Sequence, residues 1–312
     1  MMDRRELIKW GTALLALPVG NTWASDIQFP VSPTGKPLIQ RAIPSTGELI
    51  PMIGMGTTTF DTNDNPQTLA QLVEIMRLFF DGGGKVIDSS PMYGHAETRL
   101  GEVMATLADH PPIFAATKVW TDGKENGITQ MQESAKRMRV PRFDLMAVHN
   151  LKDWHTHLAT LKQWKDEGKV RYIGITTWAG NYHPELLQIM RNEPLDFVQF
   201  SYSIGAREAE SELLPLAADR GIATMINRPF ERGALFSHSR GKPLPELAKE
   251  LDCESWGQFY LKFVLGHPAV TCVIPATSKA KHMADNMAAN FGRLPNPAQR
   301  AEMLRVFNTL QA

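Results

Sequence analysis

A chain of 312 residues, 43% hydrophobic and 21% charged, has globular composition and room for one large domain. Its 33 Lys and Arg balance 33 Asp and Glu, leaving no field that would draw it to nucleic acid or anionic lipid. Two cysteines, Cys253 and Cys272, are too few for a disulfide framework or a cysteine-based metal site; both read as small buried side chains.

The first element reads as a signal. Arg4 and Arg5 precede Leu7-Ile8-Lys9, a mostly apolar stretch runs from Trp10 to Val19, and Thr22-Trp23-Ala24 offers a small-x-small cleavage site. The apolar stretch is too short to span a bilayer, which takes about 18–20 residues. The paired arginines resemble the Tat class of signals, which exports folded proteins. Residues 1–24 are therefore expected to be a signal read by the Tat export machinery, 25–37 a linker and 38–312 one domain. A functional signal makes that domain periplasmic; without one it stays cytoplasmic, with no stable membrane span in either case.

Residues 39–43 and 48–50 flank Pro44-Ser45-Thr46-Gly47 and predict a hairpin. Apolar β-rich runs then recur at 52–56, 86–88, 113–118, 145–149, 172–176, 197–201, 223–227 and 271–274. Helical periodicity fills the gaps. Asn65-Pro66 supplies a cap and a first-turn proline; Leu69, Leu72, Val73, Met76, Phe79 and Phe80 share a face; Gly82-Gly83-Gly84 stops the helix. Units of one strand and one helix, roughly 25 to 35 residues long, predict a parallel sheet closed into a (β/α)8 TIM barrel, capped by the N-terminal hairpin. A doubly wound sheet would carry Gly-x-Gly-x-x-Gly after an early strand, whereas the triple glycine precedes one. Residues 230–252, rich in Gly, Pro and charge, read as a loop shaping the barrel mouth.

Barrel active sites lie at the C-terminal strand ends. Asp88 ends the second run, Tyr93 follows it, Lys118 ends the third and His149 the fourth. A lysine ammonium beside a phenol favours the phenolate and lowers its pKa. An aspartate keeps that lysine charged, and a histidine orients a carbonyl oxygen. Such a set delivers a proton to an oxygen whose carbon accepts a hydride, and the hydride comes from a cofactor. Trp120, Trp154 and Trp178 follow strand ends and are candidates for an apolar wall. His155 and His157 stand near His149, but an i, i+2 helical pair points to different faces and completes no zinc spacing, so no metal site is expected.

The order Asp-Tyr-Lys-His is set in a series of motifs: IPMIGMGTTTF, Asp88-Ser89 running into SPMYGHAETRLG, ATKVW, AVHN, YIGITT, VQFSYS and VIPATSKAKHMADN. Together they resemble the aldo-keto reductases over about residues 38–292. The resemblance implies that Tyr93 is the general acid, that Lys118 and Asp88 tune it, and that His149 orients a small carbonyl substrate. It also implies NADPH, less often NADH, bound extended across the barrel mouth.

Carried over residue by residue, the resemblance puts Gly56, Thr57 and Thr58 near the nicotinamide, although an aromatic often occupies the position of Thr58. Thr176 and Thr177 stand where Ser-Asn is common, and Gln199 completes that grip on the carboxamide. Asn227, Arg228, Pro229 and Phe230 replace Tyr-Ser-Pro-Leu, so the tyrosine that stacks on the nicotinamide is missing. At the adenosine end Ala276, Thr277 and His282 stand where many members have Lys, Ser and Arg. Asn286 is retained, and Lys279 and Lys281 are candidate replacement cations for a 2′-phosphate. Three functions follow as expectations: a carbonyl reductase, a non-enzymatic nucleotide-binding or partner protein, and an oxidoreductase that keeps its nucleotide while alternating between two substrates.

Overall fold

The computed structural model describes residues 35–63, 65–107 and 109–311. The signal expected at 1–24 and most of the 25–37 linker lie outside the described residues.

A hairpin opens the described chain. Strands β1 (Gln40–Ala42) and β2 (Leu49–Pro51) pair antiparallel around the predicted turn. Eight parallel strands follow: β3 (Met55–Gly56), β4 (Val86–Asp88), β5 (Phe114–Val119), β6 (Phe143–His149), β7 (Val170–Thr176), β8 (Phe197–Ser201), β9 (Ala223–Asn227) and β10 (Cys272–Val273). They hydrogen-bond in chain order, and parallel bridges Ile53↔Val273 and Gly56↔Ala276 bring the last strand to the first. The result is the expected (β/α)8 TIM barrel with an N-terminal hairpin.

Helices α1 (Pro66–Asp81), α2 (Ala96–Thr106), α3 (Lys124–Met138), α4 (Trp154–Asp166), α5 (His183–Asn192), α6 (Leu213–Arg220), α7 (Leu235–Ser239), α8 (Glu246–Glu250), α9 (Trp256–Leu265), α10 (Ala280–Ala288) and α11 (Pro297–Gln311) complete the order. Helix α1 starts and stops for the reasons its sequence suggests. Asn65 Oδ1 accepts from Gln67 N at 2.8 Å ahead of Pro66. At its end Gly83 takes φ +75°, and a side chain on Gly84 would strike the Phe79 ring.

A β-strand sends alternate side chains to opposite faces, and here that rule decides where chemistry can sit. The inward apolar row includes Val86, Phe114, Ala116, Leu145, Tyr172, Phe197, Ala223, Met225, Cys272 and Ile274, packed as one cluster. Phe114, Tyr172 and Phe197 meet with ring centres 5.5 to 5.9 Å apart and dominate this inner core. Two or four residues further along the same rows stand Asp88, Lys118, His149, Thr176 and Gln199. Filled by rings below, the barrel has only its upper layer left for polar groups. Outward residues such as Ile87, Met146, Val148, Ile173 and Ile175 pack against the helices in the larger core cluster.

Two expectations need correction. The first and last strands are shorter than the runs at 52–56 and 271–274, because their mutual pairing is reduced to bridges; Pro275 offers Gly56 a carbonyl but has no N–H to return. Residues 230–252 are not one loop: they carry α7 and α8. Cys253 and Cys272 are buried free thiols, and burial pushes both up to about 12. No helix of the described residues is long and apolar enough to cross a membrane.

Candidate active site

A cavity of about 1070 Å³ opens at the C-terminal strand ends, slightly beyond the roughly 300–1,000 Å³ usual for small-molecule sites. Its wall includes Asp88, Tyr93 and His149 at one end and His282, Asp285 and Asn286 at the other.

Lys118 is completely buried and lies behind the cavity wall at this end, paired to Asp88. Its Nζ donates to Asp88 Oδ2 and to the Ser89 carbonyl, each at 2.6 Å. Burial alone would lower the lysine pKa, but the charges of Asp88 and Tyr93, with the Asp88 hydrogen bond and more distant Glu97, outweigh it and hold Lys118 above its ordinary value. Burial pushes Asp88 upward against the pull of Lys118. At 2.6 Å, with no water-exposed alternative for either, the pair is an ammonium and a carboxylate.

Tyr93 lies over this pair, its ring centre 5.4 Å from Lys118 Nζ. The expected lowering of its pKa is not what the geometry produces. Burial dominates and raises the phenol; Lys118 is the largest opposing influence, and Arg228 also opposes, whereas Asp88 adds to the rise. The proton is therefore held on Tyr93 at neutral pH, which suits a donor.

His149 meets Tyr93 edge-on, ring centres 5.8 Å apart. Burial, then the Lys118 charge, lowers its pKa to about 3, so the imidazole is neutral. Ser90 Oγ accepts from Met92 N at 3.2 Å and lies 2.8 Å from His149 Nδ1. With the Ser90 hydroxyl donating to Nδ1, the ring N–H stands on Nε2. Sequence reading missed Ser90, although it follows Asp88 by two in the same motif.

The four polar strand-end groups therefore converge, and the strand register extends them: His149 pairs with Thr176, which pairs with Gln199. The chain matches the Aldo/keto reductase family over residues 52–298. It belongs to that family.

Among curated relatives, Aldo-keto reductase YhdN of Bacillus subtilis is 27% identical over 219 residues, 62% of this chain and 62% of its own length. The NADH-specific methylglyoxal reductase of Escherichia coli is 33% identical over 181 residues, 49% of this chain and 54% of that protein. The chain thus spans less than two thirds of either. An aldo/keto reductase of Klebsiella pneumoniae, solved with NADP and acetate, is similar in fold: TM-score 0.66, 21% identity, covering 84% of this chain and 93% of that one.

Of the cofactor residues expected from the aldo-keto reductase resemblance, Gly56, Thr58, Thr176, Thr177, Gln199, Asn227, Arg228, Pro229, Phe230, Thr277, His282 and Asn286 line the cavity. Thr57 and Lys279 do not. Thr57 is buried with its hydroxyl against Ser89 Oγ at 2.8 Å, joining the ends of β3 and β4. Lys279 caps α10, its N–H bound to Thr277 Oγ1 at 3.1 Å. Thr176 Oγ1 donates to Gln199 Oε1 at 2.6 Å, and the Nε2 of the same amide lies 3.1 Å from Met225 Sδ.

Asn227 has a role of its own. Its Nδ2 donates to the Thr177 carbonyl at 3.1 Å, and its Oδ1 lies 2.6 Å from Ser201 Oγ. Of the three tryptophans, Trp178 lines the cavity, while Trp120 and Trp154 do not. Trp154 instead donates from Nε1 to Glu185. His157 turns away as well, Nε2 donating to the Thr121 carbonyl at 2.8 Å. Asp285 and Ser255, not foreseen, line the adenosine end expected from the resemblance and bond to each other at 2.8 Å. The Ser255-x-x-Gln258 cap signature was the available signal.

Proposed function

We propose that this protein is a nicotinamide-dependent reductase of small aldehydes or ketones, with Tyr93 as general acid and NADPH preferred over NADH. The observation that carries the reading is the buried Lys118–Asp88 pair, 2.6 Å apart, beneath a protonated Tyr93 and beside a neutral His149. Dinucleotide binding is supported by the cavity itself. It is long, its residues include Gly56 and Ala276 with little or no side chain, and it offers Thr58, Thr277, Gln199 and Asn286 as polar contacts and Arg228 and Arg232 as cations. Lys279 and Lys281 at the start of α10 are the cations that favour a 2′-phosphate. The named relatives that use NADP or NADH support the cofactor class.

A reduced nicotinamide, when bound, supplies the hydride. His149 Nε2–H donates to the substrate oxygen and orients the carbonyl. As charge develops on that oxygen, the Tyr93 hydroxyl transfers its proton to it and the product is the alcohol. The phenolate left behind is stabilised by the Lys118 ammonium, which Asp88 keeps charged. Thr176 holds Gln199, and Asn227 holds the Thr177 carbonyl; these are the fixed polar groups that would hold the carboxamide and ring of a nicotinamide in place of a stacked tyrosine.

Residues 1–24, read as a twin-arginine signal, support export through the Tat machinery and a periplasmic site of action, with the domain beginning near residue 38. The test is NADPH oxidation at 340 nm by the mature protein against a panel of aldehydes and ketones. Turnover is expected, falling about 10²–10⁴-fold in Tyr93→Phe. Nucleotide binding with no Tyr93-dependent turnover would instead favour the non-enzymatic reading.

A further inference from the structure

Among the described residues, two arginines at the barrel mouth have no carboxylate paired to them. Arg228 and Arg232 both line the cavity, and among the described residues neither guanidinium has a hydrogen bond or an ion pair to a carboxylate. Both stand in the left-handed backbone region, with φ of 51° and 58°. That conformation is uncommon for residues with a Cβ, and Glu231 between them shares it, with φ of 50°. The intervening acid, Glu231, is turned away: its carboxylate accepts from Ser203 Oγ at 2.5 Å.

Arg228 is also braced. Its guanidinium lies over Trp178 with the carbon 3.8 Å from the ring centre, a cation–π contact that fixes the plane of the fork and leaves its edge donors free. The Trp178 backbone is fixed in turn, its carbonyl 2.8 Å from Ser201 Oγ, which also touches Asn227 Oδ1. Trp178 is 45% exposed, an expensive position for an indole unless its face is in use. Trp178 stands two residues past Thr176, the register partner of His149, which sets the braced arginine at the reacting end of the cavity; its charge also acts on Tyr93.

We propose that Arg228, stacked on Trp178, anchors the carboxylate of an anionic carbonyl substrate, so that the enzyme favours aldehydes or ketones carrying a negative group. This rests on the reductase reading and names its substrate class. A planar fork with free edge donors pairs with a carboxylate through two parallel hydrogen bonds, and the local excess of positive charge raises the concentration of anions at the mouth. The phosphates of the dinucleotide are the other anions able to use a guanidinium, and the experiment separates the two.

The full chain is assayed with 4-formylbenzoate and with its neutral isostere 4-formylbenzamide, alongside Arg228→Gln and Trp178→Leu. The wild-type protein is expected to favour the carboxylate in kcat/KM by about ten- to a hundred-fold, on the order of one charge-assisted pair. Arg228→Gln removes that ratio, and Trp178→Leu lowers it with a larger effect on KM than on kcat. Calorimetry with 4-(hydroxymethyl)benzoate against 4-(hydroxymethyl)benzamide, with and without nucleotide, reads the same preference when no turnover occurs. Carboxylate binding without catalysis would overturn the reductase reading and keep the anchor. An equal response to the two probes would overturn the anchor. So would an Arg228→Gln protein whose loss lies in the dissociation constants of NADPH and NADH while the carboxylate ratio stays.

Discussion

At the N-terminal end of the barrel the charges close on one another, and at the C-terminal end they are left facing a cavity. Below, Arg171 bridges Glu48 of the hairpin and Asp144 at the start of β6, Lys85 adds a second contact to Glu48, and Tyr172 donates to the same carboxylate at 2.9 Å. Arg41 donates to the carbonyls of His267, Pro268 and Val270. These polar groups answer one another, and the hairpin closes the barrel bottom. Above, Asp88 and Lys118 are paired, but Arg228 and Arg232 are not, and Tyr93 and His149 hold protonation states set by burial. Paired charge at one end supports the fold; poised charge at the other supports chemistry.

Breaking one lysine and one arginine sharpens that contrast most. Lys118→Met leaves Asp88 as an uncompensated buried charge, so we expect a loss of about 3–5 kcal/mol in unfolding free energy by denaturant titration and no measurable turnover. The double variant Asp88→Asn with Lys118→Met should recover most of the stability and none of the activity. Arg171→Met, at a partly exposed network, should cost about 1–2 kcal/mol and leave turnover intact. If Arg171→Met abolished activity, or the double variant restored it, the division between the two ends would fail.

One histidine at each end carries the comparison into pH. His149 at the mouth is lowered to about 3 by burial and then Lys118. His267 at the bottom is lowered to about 4 by burial and then Arg300, with Glu210 pulling the other way. A histidine held below its unfolded value of about 6.5 contributes stability above that pH and loses it as pH falls toward the folded pKa, because the unfolded chain takes up the proton first. Stability should therefore decline between about pH 6.5 and pH 3. His149→Gln should flatten this slope more than His267→Gln, since His149 is more deeply buried. Equal slopes in the two variants would mean that the mouth is wetter than the structure indicates.

Much of this was legible in the sequence because a two-residue strand period and a strand-end rule need only local information. Asp88, Lys118 and His149 continue inward rows that begin with Val86, Phe114 and Leu145, and those rows are visible as apolar runs. The rest depends on contacts between distant segments. Ser90 meets His149 across 59 residues, Trp178 meets Arg228 from a different strand end, where the left-handed positions are Arg228, Glu231 and Arg232 rather than glycines, and the upward shift of Tyr93 follows from burial that no spacing reveals. Thr57 and Lys279 stand off the cavity wall for a related reason: motif position locates a backbone, and side-chain direction is decided by neighbours.

The smallest expected effect lies at the far end of the cavity, where His282 lines the wall. Burial lowers its pKa, followed by Lys279 and Lys281, so it is neutral at neutral pH and offers a 2′-phosphate no charge. Asp285, one turn away, is committed to Ser255 and to Gln258 Nε2 at 2.7 Å, which keeps its carboxylate from approaching the phosphate. The NADPH preference proposed above would rest on the flexible ammoniums of Lys279 and Lys281, point charges without a fork. His282→Arg should therefore strengthen NADPH binding relative to NADH by roughly ten-fold, the gain of one bidentate phosphate contact, read as the ratio of dissociation constants by fluorescence titration. An unchanged ratio would show that the 2′-phosphate lies away from α10, and the lysines would then be ordinary solvated residues of a helix start.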